Sequence, residues 1–350
     1  MRAITVVPHQ AGSARLDDVP DPDPLMGSVL VEAVAVGVCG TDLEITSGAY
    51  GWSPPGADRL VLGHESLGRV IDPGPSSGLA NGDLVVGIVR RPDAVPCPSC
   101  AVGEWDMCRN GQYTERGIKA VDGYMSERWR IEPDYAVKVD PGLGILGVLL
   151  EPTTVVAKAW EVVGSTGLRA FWEPRTALIT GAGPIGLLAA LLGVQRGLDV
   201  HVLDRAETGP KPELVAALGA TYHTDAVGDL DIDPDIVIEC TGVRSLILSS
   251  VEKVASGGVV CLTGIGSADP TPIQIPETPL ANEIVLQNKV VVGSVNANRR
   301  HYYKGAEALQ RADHDWLAKL ITRRANPEHF ADALERQPDD IKAIIEFASL

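Results

Sequence analysis

Up to about residue 150 the apolar positions come in short β-branched runs, SVLVEAVAVG, LGRVI and GDLVVGIV, separated by Gly, Pro and turn pairs such as Asn81-Gly82. Runs of this kind predict a compact, mostly antiparallel β domain. At Glu151 the pattern changes. Pro152 suits a first helical turn, and Val155, Val156, Ala159, Trp160 and Val163 then recur on one helical face. A helix is expected to begin here and to link two domains.

From Arg175 onward strands and helices alternate. TALIT is followed by a helix from Pro184 to about Arg196 closed by Gly197, then by VHVLD, a helix around ELVAALG, DIVIEC, a helix near 245–255 and VVCLTGI. This alternation predicts βαβ units in an open, doubly wound parallel sheet. VVVGSV at 290–295 supplies a last strand, and helices near 303–324 and 327–336 with the strand-like AIIEF return to the first domain. The reading is an α/β chain with a catalytic domain over 1–150, completed by about 297–350, and a dinucleotide-binding domain over 151–296.

Composition narrows the partners. With 350 residues, 45% of them hydrophobic, the chain can bury roughly two domain-sized cores. Its 30 basic against 46 acidic residues give a net charge of −16, which repels nucleic acid and anionic membranes and favours a small-molecule partner. MRAITVVPHQAG does not read as a signal peptide, and VLLEPTTVVAKAW is broken by Glu151, Pro152 and Lys158. A cytoplasmic protein is expected. Three of the six cysteines, Cys97, Cys100 and Cys108, fall within twelve residues, which in a reducing compartment suggests metal before disulfides. Cys240 and Cys261 read as buried strand residues.

Gly181-Ala-Gly183-Pro184-Ile185-Gly186 directly follows TALIT and opens a helix, the context that a bare G-x-G-x-x-G lacks. Gly181 permits the tight turn, Gly183 lets a pyrophosphate approach the backbone, and Gly186 lets helix and strand pack closely. The helix N-terminus offers free N–H groups to the phosphates. Asp204 ends the next strand, 18 residues after Gly186, near the offset at which an acid binds the adenosine ribose diol. NAD is therefore preferred, with Arg205 softening the repulsion of a 2′-phosphate enough to permit NADP.

Cys39-Gly40-Thr41-Asp42, Gly63-His64-Glu65 and Glu151-Pro152 supply a thiol, an imidazole and carboxylates, a donor mixture that suits zinc with one open position. Glu151 at the helix start would stand at a domain cleft, where the helix dipole favours its ionised form. Through CGTD, GHE, GDLVVG and GAGPIG, in this order, the chain resembles the zinc-containing medium-chain dehydrogenases. ERWRIEPDYAVKVDP, LLEPTTVVAKAWE, CRNGQYTERGIKAVDGY and GSVNAN make it most similar to the microbial glucose 1-dehydrogenase branch.

That resemblance implies a GroES-like β domain with a Rossmann domain and a homodimer or homotetramer. It places Cys39, His64 and Glu151 around a catalytic zinc, with Glu65 a ligand or bridged to it through water. Thr41 would contact the reacting hydroxyl and relay its proton. Glu115, in YTERG, would bind a sugar hydroxyl, and Asn296, in GSVNAN, would touch sugar and nicotinamide; alone, they read as a surface acid and a turn residue. Pro184, Ile185, Gly264 and Ile265 would line the coenzyme, and Lys342 matches a position where related dehydrogenases present a cation to the pyrophosphate. The family often carries a structural zinc on C-x₂-C-x₂-C-x₇-C, but here the first place falls on Ala94. Asp93, next to it, offers an oxygen, so both a retained structural zinc and a metal-free lobe stay open.

The activity implied is zinc-assisted oxidation of an aldose at C1 to the lactone with hydride transfer to NAD(P). A polyol, secondary-alcohol or threonine dehydrogenase keeps the same fold and cofactors. A zinc-free quinone reductase would leave Cys39, His64 and Glu151 without a reason to occur together, and a non-catalytic NAD(H) sensor has no use for metal ligands.

Overall fold

A computed structural model describes residues 1–266 and 279–350. The chain divides into two compact units, Met1–Glu151 with Asn296–Leu350, and Pro152–Val295.

The first unit is built on a seven-stranded sheet. Its order is Ala136–Lys138, Leu84–Gly87, Glu65–Asp72, Val29–Val38, Lys342–Glu346 and Ile321–Ala325, with Arg128–Ile131 also paired to Val29–Val38. All pairings are antiparallel except the last, Ile321–Ala325 with Lys342–Glu346. Three-stranded sheets formed by Arg15–Asp18, Arg2–Val6 and Leu60–Val61, and by Arg90–Arg91, Thr114–Arg116 and Ala120–Val121, complete it. Alternate positions of Val29–Val38 face a core of Ile4, Leu62, Met125, Trp129 and Ile345, which removes the apolar runs seen in the sequence from water.

The C-terminal segment departs from expectation. A single helix over 303–324 is replaced by helices Arg299–Arg311 and His314–Leu320, because Asp313 accepts hydrogen bonds from the N–H groups of Asp315 and Trp316 and starts a new helix. Ile321–Ala325 is then a strand: pairing with Lys342–Glu346 overrides the helical preference of Arg323 and Arg324. The expected 327–336 helix is a 3₁₀ turn, Pro327–His329, followed by Phe330–Leu334.

The second unit is a six-stranded parallel sheet, ordered Thr221–His223, Asp199–Leu203, Thr176–Thr180, Ile236–Glu239, Val259–Leu262 and Val290–Gly293. In order of occurrence this is 3-2-1-4-5-6, the Rossmann arrangement, whose strand order reverses beside Thr176–Thr180. Helices Pro184–Val194, Pro210–Ala217, Arg244–Lys253 and Pro279–Leu286 connect the strands. The short strand Thr221–His223 carries too little apolar pattern to be read beforehand. The helix expected at Glu151 runs over Leu150–Gly167 and follows a 3₁₀ stretch, Pro141–Leu149. Together they are long and apolar enough to cross a bilayer by length and composition if Glu151 and Lys158 are tolerated, but the run is mostly buried, as the core helix of a globular protein is.

Candidate active site

Three neighbouring strands end at one place. Val29–Val38 delivers Cys39, Glu65 opens Glu65–Asp72, and Lys342 opens Lys342–Glu346. The turn before His64 requires glycine: Gly63 has φ +89°, and a Cβ there would lie 2.4 Å from Met125 Cγ. Cys39 is the N-cap of the helix Gly40–Thr46, with its N–H donating to Asp42 Oδ2 at 2.9 Å. The ligand atoms of Cys39, His64 and Glu65 consequently lie within 4.8 Å of one another. A thiol, an imidazole and a carboxylate so grouped fit zinc.

Two further residues frame this cluster, and the sequence reading left the first, Asp42, without a role. Asp42 is fully buried, and its Oδ1 lies 3.5 Å from His64 Nδ1. Neither atom has an aligned hydrogen bond in the chain, an arrangement that a metal drawing on the other ring nitrogen would tighten. Burial lowers the pKa of His64, but Asp42 and Cys39 outweigh it and hold it well above the ordinary value.

Lys342 corrects an expectation. It is not a surface cation for a pyrophosphate: it is 2% exposed, and its Nζ donates to Glu65 Oε1 and Oε2 at 2.7 and 2.6 Å and to the Val38 carbonyl at 3.1 Å. The cause is its place at the start of a central strand, which points the side chain into the metal-ligand cluster. Burial depresses its pKa, but the Glu65 carboxylate more than reverses this.

Glu151 stands next to the cluster without joining the three ligands. Burial raises its pKa to about 7, opposed by His64 and Lys342 and reinforced by Glu65 and Asp42. Thr41 Oγ1 is 3.9 Å from Cys39 Sγ.

In the same unit Glu115 and Asn296, 181 positions apart, are in contact: Asn296 Nδ2 donates to Glu115 Oε1 at 2.7 Å. Glu115 is buried rather than a surface acid, and Asn296 adopts a left-handed φ of +61°. Arg90, which the sequence reading passed over, donates to the same carboxylate. In the cysteine lobe, ligand atoms of Asp93, Cys97, Cys100 and Cys108 also lie within 4.8 Å of one another, so Asp93 stands close to the three thiols where Ala94 offers no ligand atom. The Arg109 N–H pulls the Cys97 thiol down to about 7, whereas burial raises Cys100 to about 11.

In the second unit Gly181 has φ +89°, and a Cβ on Gly186 would lie 1.7 Å from the Gly181 carbonyl oxygen, so helix and turn close only around glycine. At Gly183, N-cap of a helix with Pro184 in its first turn and Ile185 next, a Cβ meets nothing within 4 Å. That open backbone at a helix N-terminus fits a pyrophosphate. Asp204 accepts hydrogen bonds from the Ala182 N–H at 2.7 Å and the Ala206 N–H at 3.2 Å, and both its oxygens are 3.1 Å from Lys211 Nζ. Burial opposes ionisation of Asp204, but these donors hold its pKa below the usual range. Arg205 is exposed, as is Ile265, while Gly264 packs on the Thr241-Gly242 turn. Cys261 is fully buried in its strand and Cys240 follows one; burial raises both thiols to about 12.

Comparison with known proteins agrees with this layout. Residues 26–141 match the alcohol dehydrogenase GroES-like domain and residues 144–347 the glucose dehydrogenase C-terminus. The chain is 40% identical to glucose 1-dehydrogenase 2 of Vulcanisaeta moutnovskia, over 99% of both chains, and 37% identical to glucose 1-dehydrogenase of Halobacterium salinarum, over 98% of both. Among solved structures, the Haloferax mediterranei glucose dehydrogenase in complex with NADP, Zn and gluconolactone superposes with a TM-score of 0.92 at 32% identity over 100% of both chains. A GroES-like unit and a Rossmann unit, each with its expected residues, thus extend along the length of relatives well above 30% identity, and the chain belongs to the glucose dehydrogenase family of medium-chain dehydrogenases.

Proposed function

We propose that this protein oxidises an aldose, D-glucose or a close relative, at C1 to the lactone and passes the hydride to NAD or NADP. The observation that carries the reading is the presence, within one unit, of the Cys39–His64–Glu65 cluster and the contact of the buried Glu115 with the half-buried Asn296. The full-length likeness to enzymes named glucose 1-dehydrogenase supports it.

Cys39, His64 and Glu65, with Glu151 at hand, would hold zinc, which when bound supplies a Lewis acid at the substrate oxygen. Asp42, 3.5 Å from Nδ1, would orient the His64 ring once a metal draws on the other nitrogen, and Lys342 balances the charge of Glu65. Thr41 would contact the reacting hydroxyl and relay its proton, taking it up while passing its own on to solvent, and Glu115 and Asn296 orient the ring through its other hydroxyls, since a carboxylate accepts strong, directional hydrogen bonds. The Gly181–Gly186 turn with Pro184 and Ile185, Gly264 and Ile265 would hold the coenzyme, which supplies the hydride acceptor. Asp204 favours a ribose diol, whereas Lys211 and Arg205 offer positive charge to a 2′-phosphate, so both coenzymes are used, with NAD preferred.

Asp93, Cys97, Cys100 and Cys108 would take a second, structural zinc. Copies of the chain associate as a dimer or tetramer; Val290–Gly293 is an edge strand with Val291 exposed, and Val285 and Leu286 are exposed on the preceding helix. All six cysteines are free, which suits a cytoplasmic location.

The test is the initial rate at the reduced-nicotinamide band with D-glucose, D-galactose, D-xylose, sorbitol, threonine and 2-butanol, each with NAD and NADP. Chelator-sensitive turnover of an aldose is expected. Turnover confined to the non-sugar alcohols refutes the reading.

A further inference from the structure

Arg90 and Glu115 face each other across the antiparallel strands Arg90–Arg91 and Thr114–Arg116. Arg90 Nε and Nη2 donate to Glu115 Oε1 at 3.0 and 2.9 Å, and Asn296 Nδ2 donates to the same oxygen at 2.7 Å. Three donors converge on one carboxylate oxygen, while no hydrogen bond from the described residues reaches Oε2. The side chains of Arg90 and Glu115 are only 6% and 7% exposed. Oε2 is not among the sealed atoms that lack a partner, so it stays open to a donor from outside, and a ligand hydroxyl supplies one.

Arg90 has little freedom of its own. Its guanidinium carbon stacks 3.7 Å from the centroid of the Tyr113 ring, and Nη1 donates to the Asp106 carbonyl at 3.3 Å. Asp106 lies in the 3₁₀ turn Trp105–Met107 of the cysteine lobe, between Cys100 and Cys108. Its Oδ1 accepts from Asn298 Nδ2 at 3.0 Å, and that same amide donates to the Gly103 carbonyl at 2.6 Å. Both donors to Glu115 are therefore anchored in the lobe: Arg90 directly, and Asn296 through Asn298 two residues further along.

We infer that Arg90 is a positioning residue for the sugar: with Asn296 it saturates one oxygen of Glu115, reserves the other for a substrate hydroxyl, and sets that carboxylate in register with the cysteine lobe. The inference rests on the aldose reading given above. Arginine is required because two donors on one rigid plane fix the carboxylate's rotation; a lysine keeps the charge and loses both the fork and the stack.

The experiment is a double-mutant cycle in the full-length enzyme, comparing Arg90→Lys, Glu115→Gln and the pair. Arg90→Lys is expected to raise the aldose KM about tenfold, the scale of one misdirected charged hydrogen bond. kcat should stay within about threefold, and coenzyme affinity and zinc content should not change. The double variant should be no worse than the poorer single, because Arg90 acts through Glu115. An aldose KM within about twofold of the parent, or effects that multiply in the double variant, overturns the inference. Should Arg90→Lys fail to fold, Asn298→Ala decides: a raised aldose KM with kcat and coenzyme affinity kept supports the anchoring, and an unmoved KM refutes it. If the parent enzyme turns over no aldose, the functional reading itself has failed and this inference falls with it; turnover in the parent with an unmoved variant KM rejects Arg90 alone.

Discussion

Replacing Lys342 by methionine tests the most consequential contact in the candidate metal site. The substitution removes the ammonium that donates to both oxygens of Glu65 while keeping a side chain of similar length. Glu65 is 1% exposed, so its carboxylate is left charged, buried and without its cation. Removing one partner of a buried ion pair costs about 3–5 kcal/mol, because the remaining charge keeps its desolvation penalty. For a unit of this size each kcal/mol moves the melting temperature by about 2–4 °C, so the transition of the metal-stripped protein should fall by roughly 6–20 °C. Differential scanning calorimetry in excess chelator measures it. Adding Glu65→Gln to Lys342→Met should recover most of the loss, since the amide no longer needs a cation. A metal-stripped variant melting within about 2 °C of the parent, less than the shift expected from 1 kcal/mol, refutes the assignment. A variant with unchanged stability and weakened coenzyme binding restores the pyrophosphate role that the family resemblance implied.

Gly186→Ala places a methyl group where 1.7 Å separates it from the Gly181 carbonyl oxygen, so the turn must open; coenzyme affinity by fluorescence titration should fall by about tenfold or more, and a loss under about threefold argues against the turn as the phosphate site. Lys211→Ala should raise the KM for NADP more than that for NAD, and equal changes would remove Lys211 from coenzyme choice. His223, with its Nε2 2.8 Å from His201 Nδ1, has its pKa lowered by burial and then by His201. The unfolded chain therefore takes up this proton first. The contribution is intact above pH about 6.5 and is lost as pH falls from there through the lower folded value. Melting curves from pH 8 to 5 should show a smaller acid loss in His223→Gln than in the parent, and parallel curves would refute the coupling.

The two units were legible because their signals are local. Gly181 and Gly186 serve backbone geometry that only glycine fits, and the motif lies between an apolar strand and an apolar helix. Cys39 and His64 are weak signals singly and became legible only in combination with Glu65 and Glu151. Arg90 was not legible, because in IVRRP it looks like half of a solvated charge pair, and only the pairing of its strand with Thr114–Arg116 turns it toward Glu115. Lys342 was misread for a related reason: an isolated lysine suggests the surface, and its burial is decided by a strand that closes the sheet some 280 residues after Glu65. Asp93 was half legible, since its oxygen was in view but not its distance to the thiols. Ile321–Ala325 shows the limit most plainly, its strand state being set by a partner 20 residues away rather than by its own side chains.

Asp204 has a consequence for how this enzyme could change its coenzyme. The carboxylate proposed to read the ribose also accepts a hydrogen bond from the Ala182 N–H, inside the glycine-rich turn, so in that reading one side chain is both a selector and a latch. Replacing it with a neutral residue to welcome a 2′-phosphate also unties the loop that cradles the pyrophosphate. A lineage moving from one coenzyme to the other would therefore meet a valley at this position, and the passable route adds positive charge around Arg205 and Lys211 while the aspartate stays.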